Sequence, residues 1–226
     1  MNYLGLINAV LDRLREDNVT SSTFASTPFY KMIGAAVNDA KQRCEDAFDW
    51  TSLRGDDEYT LVIGDSEVPL VATNESHYAV CEVHIGSQKL KQVSASKMRD
   101  YYRGSVVADG SPSEWANYYD SASGFRQIRL YPSPAAADTL VVTRIAHQSA
   151  LSAYDDVLRI PPQPVYLLAS ALASRERGEL GGAPTSELFT AADLALSDAI
   201  ARDAANFPDE QVWYTEENAS QTNVGR

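Results

Sequence analysis

The chain has 226 residues, 44% of them apolar and 22% charged, enough for one sizeable domain with a buried core. Its formal charge of −12 argues against a surface that wraps nucleic acid, because such a surface needs a basic stripe to displace counterions. No apolar run approaches the ~20 residues of a membrane span, and residues 1–6 lack the basic segment of a signal peptide, with Asp12 and Arg13 interrupting the apolar stretch early.

Helical periodicity opens the chain over 2–17, where Leu4, Ile7, Val10, Leu11 and Leu14 fall on one stripe. After a Ser/Thr-rich loop, Thr27 and Pro28 read as N-cap and first helical residue, since proline loses no needed donor there. A second helix over 29–48 carries Ile33, Ala36, Val37, Ala40, Cys44 and Ala47, small residues that predict a close helix–helix approach. From 58 to 146 the pattern changes to strands and turns. Strands are expected at 60–63, 67–71, 78–85, 115–119, 126–131 and 139–145, with a turn at Gly64-Asp65 and another at Gly86-Ser87 leading into Lys89-Leu90. A short helix over 94–102, capped by Ser94, and a loop over 110–113 complete this region. Prolines at 161, 162 and 164 mark a return to helix over 163–177, with Val165, Leu168, Ala169, Leu172 and Ala173 in a stripe and Gly178 placed as a C-cap. A last helix over 186–206 aligns Leu188, Ala192, Leu196, Ile200 and Ala204. The reading is an α+β fold: a four-helix body from 1–57 and 147–206, an inserted antiparallel β subdomain at 58–146, and an extended C-terminal tail at 207–226.

The chain carries none of the glycine patterns of a nucleophile elbow, P-loop or dinucleotide site. His77, His84 and His147 are scattered, without ligand spacing, and read as structural or surface side chains. Cys44 and Cys81 match no metal spacing and read as buried and inert. The carboxylate clusters Asp56-Asp57-Glu58 and Asp155-Asp156 lack the alternating oxygen-ligand spacing of a calcium loop and read as solvated turns. Trp50, Tyr59, Tyr101, Tyr102, Trp115, Tyr118, Tyr119 and Tyr131 offer two readings, a sugar-binding face or cross-strand packing. A carbohydrate-binding or hydrolytic protein is the alternative function these aromatics and carboxylates keep open. Arg175 and Arg177 close a helix, where basic side chains complement the dipole. Trp213 and Tyr214, inside an acidic segment, fit either a disordered end or a docking arm that orders on assembly.

Several stretches together resemble the head-to-tail adaptors of short-tailed bacteriophages, the tail tubular protein A family. They are Leu6-Ile7-Asn8-Ala9-Val10-Leu11, Ala36-Val37-Asn38-Asp39-Ala40-Lys41 and Phe48-Asp49-Trp50-Thr51-Ser52-Leu53, then Arg129-Leu130-Tyr131-Pro132-Ser133-Pro134. Further on, Asp156-Val157-Leu158-Arg159-Ile160-Pro161-Pro162 leads to a helix closing on Glu176-Arg177-Gly178, and a last helix follows. The resemblance spans about 4–205, with 72–125 similar only in general character. It implies a structural protein without enzymatic activity or cofactors. It would form a ring of twelve copies between the portal protein and the tail nozzle or tube. DNA would pass through an acidic lumen without specific binding, and the site would be the virion neck, after assembly in the host cytoplasm. It further implies helices toward the portal, strands toward the tail, and portal contact through Trp213, Tyr214, Arg175 and Arg177.

Overall fold

The two hydrophobic periods of the chain condense into two main cores and a small third cluster. The computed structural model describes residues 1–70, 78–103, 108–119, 126–177 and 183–206. Its elements are α1 (Tyr3–Leu14), α2 (Pro28–Asp46), a 3₁₀ turn (Thr51–Leu53), β1 (Arg54–Leu61), β2 (Glu67–Pro69), β3 (Tyr78–Ile85), β4 (Gln88–Lys89) and β5 (Lys91–Gln92). There follow α3 (Ala95–Tyr101), β6 (Asp109–Gly110), β7 (Glu114–Tyr119), β8 (Arg126–Tyr131), β9 (Ser133–Pro134), β10 (Asp138–Ala146), α4 (Pro162–Glu176) and α5 (Ala183–Asn206). The fold is α+β, as the change of period predicts.

In the helical body α4 is the central member, packing on α1, α2 and α5. Its buried residues cover most of its circumference, Ser170 and Ser174 included, and Ser170 Oγ settles its polarity by donating to Tyr166 O at 2.7 Å. Gly34 marks the close approach of α1 and α2: a Cβ there would lie 2.3 Å from the Tyr3 hydroxyl. Helix α1 buries Tyr3, Leu6, Ile7, Val10 and Leu11, while Leu4 and Leu14 sit at the edge of the core. Its first amides are not left orphaned. Tyr3 N donates to Asp156 O (2.8 Å), Leu4 N to Tyr154 O (3.1 Å) and Gly5 N to the Asn2 side chain (2.9 Å).

The caps on α2 and α3 are those expected: Thr27 Oγ1 accepts from Tyr30 N, and Ser94 Oγ from Lys97 N. Two asparagines act as clasps. Asn8 exchanges two hydrogen bonds with Val19, and Asn38 exchanges two with Leu151, fixing the segment between β10 and α4 to the body.

The β unit is a sandwich. One sheet has the order β1-β10-β3-β4 and the other β2-β8-β7-β5, with β6 and β9 paired alongside. Leu61, Val83, Ile85, Leu140 and Val142 from the first sheet meet Val68, Trp115, Ile128 and Leu130 from the second. Buried Leu90 turns the chain from one sheet to the other between β4 and β5. The unit grips the body through Trp50, Leu53 and Ile145, all inside the helical core, and Trp50 Nε1 donates to Cys44 O at 2.7 Å.

Several expectations need correction. Strand β1 starts at Arg54, so Asp56-Asp57-Glu58 lies in a strand and not in a solvated turn. The acids are tolerated because β10 answers them. Thr143 Oγ1 donates to Asp56 Oδ1 (2.7 Å), and Arg144 pairs with Asp57 on the diagonal. The strand also ends at Leu61, leaving Val62 and Ile63 beyond it. Asp109–Gly110, read as loop at its edge, pairs in parallel with Ser133–Pro134. In α5 the alanines 192, 195 and 199 are buried while Leu188, Leu196 and Ile200 are half-buried and Ala204 is exposed, because small residues let α5 lie close to α4. Ala47 is exposed, just past the end of α2. Cys44 is buried, its thiol pushed up to about 12 by burial and by Glu45 and Asp193, but Cys81 is only half-buried on β3. Val71, His77, Gly124 and Gly178 lie outside the described residues.

Candidate assembly surfaces

Helix directions decide which residues share an end of the body. Asn2 bridges Val157 just ahead of α4, and Glu16 beyond α1 pairs with Arg177 beyond α4 at 2.8 Å, so α1 and α4 run the same way. Helix α2 runs opposite to them, with Phe29 near its start lying under Arg177 (5.6 Å) and Lys41 near its end bonded to Gln148 O. Helix α5 is also reversed: Phe189 near its start lies under Arg175 (5.9 Å), and Asp203 near its end accepts from Thr51 N and Thr51 Oγ1, both at 3.1 Å. The body therefore has a far end, marked by Arg175 and Arg177, and a joint end, marked by Thr51 and Asp203.

Arg175 and Arg177 are both exposed, and both also hold neighbouring elements through ring and ion contacts. Trp213 and Tyr214 lie outside the described residues. The last described residue before them, Asn206, ends α5 on the joint side, away from the two arginines. A 24-residue helix is about 36 Å long. Of the four sequence-predicted contact residues, Arg175 and Arg177 are the two within the described residues, and they share the far end.

The sequence reading missed a polar cluster at the joint. Lys41 and Glu45, both 3% exposed, pair at 3.0 Å, and Lys41 Nζ also donates to Gln148 O. His147 lies 3.7 Å from Asp46 and 4.0 Å from Glu45. Burial raises the Glu45 carboxyl above its ordinary range, with Lys41 opposing that rise. A signal was present, since Lys41 and Glu45 sit four apart inside the apolar stripe of Val37, Ala40 and Cys44.

Most of the aromatics read as a candidate sugar platform are engaged within the fold, while Tyr119 is 60% exposed with Arg126 over its ring at 5.7 Å. Trp50 and Trp115 are fully buried. On the outer face of the second sheet, Tyr131 stacks on Tyr101 (4.2 Å, 16°) and meets Tyr102 edge-on (6.2 Å). Arg129 lies between the rings of Tyr102 (4.6 Å) and Tyr118 (4.9 Å) and pairs with Glu67. Cross-strand and helix–sheet packing is what Tyr101, Tyr102, Tyr118 and Tyr131 do here.

Tyr119 aside, the exposed large apolar side chains of the described residues stand elsewhere. Met1, Tyr154 and Val157 gather at the start of α1, Leu194 lies on the face of α5 turned from α4, and Val62 and Ile63 sit at a turn of the β unit. Among the described residues no group of His, Cys, Asp and Glu is placed to hold a metal ion, and no helix is long and apolar enough to cross a membrane. Of the acidic surplus, residues 1–57 and 147–206 carry 17 acids against 10 basic residues, and 58–146 carries 10 against 8. These features define an α+β protein distinguished by its surfaces. The sequence matches the SU10 adaptor protein family over residues 1–214, and the chain belongs to that family of phage adaptors. No curated protein matches the sequence.

Proposed function

We propose that the chain is a head-to-tail adaptor of the tail tubular protein A kind, a ring of twelve copies between the portal and the tail nozzle or tube. It acts through surfaces and not through catalysis, and it needs no cofactor. The membership in an adaptor family carries this reading. Two further features agree with it: a helical body with a β unit joined at one end of it, and exposed apolar points at separate places on the body. A ring with head-to-tail contacts needs two unlike surfaces on each copy, and Leu194 on α5 and the Met1–Tyr154–Val157 group supply them. The acidic surplus of the body suits a lumen that DNA passes without adhering.

The portal contact is assigned to Trp213 and Tyr214 together with Arg175 and Arg177 at the far end. Helix α5 ends at the joint end, so a portal contact by Trp213 and Tyr214 beside the arginines requires the residues after Asn206 to span the length of the body. Twenty extended residues span at most about 70 Å, against about 36 Å of helix, so an arm rooted at Asn206 can pass the arginines and project beyond them. Mixing the purified chain with the portal protein of its phage and imaging the product tests the reading. An added ring layer on the portal is expected, lost in a chain ending at residue 206; bare portals in the presence of the full chain would overturn it.

A further inference from the structure

Val62 and Ile63 are adjacent, β-branched and 61% and 65% exposed. Single exposed apolar residues are ordinary, but two bulky ones in succession at a fixed turn are not. The turn is fixed: Gly64 adopts φ +79° and donates its N–H to Pro134 O (2.8 Å). Asp65 N donates to Val62 O (3.1 Å), and Glu67 N to Asp65 Oδ1 (3.1 Å). The bond to Pro134 brings Ala135, Ala136 and Ala137, all exposed, beside the pair.

Position restricts what covers this knob. The β1–β10 ladder begins with Arg54 against Ile145, which is in the helical core, and ends with Leu61 against Asp138. Eight strand residues put Val62 about 26 Å from the joint, at the end of the β unit farthest from the helices. A neighbour in a ring meets the flanks of a copy and not its tip. Two tips facing each other about a two-fold axis would oppose Asp65 and Asp138, both exposed, to their own copies.

We infer that the turn at 62–65 is a preformed apolar knob that seats in an apolar pocket, rimmed by basic side chains, on the tail protein next to the adaptor layer. The inference rests on the adaptor reading and adds to it the residues and the chemistry of the tail-side contact. Apolar side chains supply the buried centre of such a contact, and Asp65 and Asp138 face the basic rim.

The test uses phage carrying V62S/I63S, with V62I/I63V as the shape-preserving control, imaged as particles and titred. The wild-type chain is expected as a layer on the portal. V62S/I63S particles are expected to keep that layer and lack tails, with infectivity down at least about 100-fold from two lost anchor side chains, and the control close to wild type. Tailed V62S/I63S particles of wild-type infectivity would overturn the inference and leave the adaptor reading intact. So would heads lacking the adaptor layer, which would put the knob at the portal, or a lowered melting temperature of the purified variant, which would make the pair core. Absence of the wild-type chain from the neck would instead remove the adaptor reading itself.

Discussion

At Gly34 one missing Cβ sets the spacing of two helices. The Tyr3 ring is almost fully buried and has little room to yield, so Gly34→Ala is expected to cost about 1–3 kcal/mol in chemical denaturation, the range for overpacking. The Lys41–Glu45 pair behaves asymmetrically. Lys41→Met takes the ammonium partner from a buried carboxylate, an expected loss of about 3–5 kcal/mol at neutral pH. Glu45 already has a raised folded pKa, so its charge costs stability above that pKa and the cost lifts as pH falls through it. The gap between Lys41→Met and wild type should therefore narrow on acidification; a gap that widens would contradict the assignment. Asp156 has the opposite sign. Its carboxylate accepts from Ser152 N (2.6 Å) and Ala153 N (2.7 Å), which holds its pKa below the ordinary value. Its contribution is present above the unfolded carboxyl range and is lost as pH falls through the lowered pKa. Because the same turn offers Tyr154 O and Asp156 O to α1, amide exchange at Tyr3 and Leu4 should accelerate in Asp156→Asn at neutral pH.

Among the elements, helices were the most legible, because period and caps agreed: Thr27-Pro28 and Ser94 sit where capping chemistry puts them. Strands with β-branched runs, such as β10, were also readable. Strand β1 was hidden by its own acids, whose partners Thr143 and Arg144 lie 87 residues away. Nor does periodicity foretell that Asn38 clasps Leu151, 113 residues on. Asn38→Ala would strand both backbone groups of Leu151, for an expected loss of about 2 kcal/mol in an unfolding titration. An unchanged midpoint would mean that the segment is held by Leu151 and Leu158 packing alone. Helix α5 was legible as a helix but not in its facing, since alanine stripes on several sides give no unique direction until α4 chooses one.

At the scale of the molecule the α+β division was visible in the sequence as a change of period, while the antiparallel run of α5 was not. That run places the root of the C-terminal segment at the joint with the β unit and the exposed arginines of α4 at the opposite end. It makes orientation the central question for an adaptor built this way. The most direct measurement is a cryo-EM reconstruction of the virion neck, fine enough to dock the fold. A layer of this chain against the portal is expected, with Arg175 and Arg177 toward the head and Val62 and Ile63 toward the tail. A layer docked with the β unit against the portal, or a neck without this fold, would contradict it.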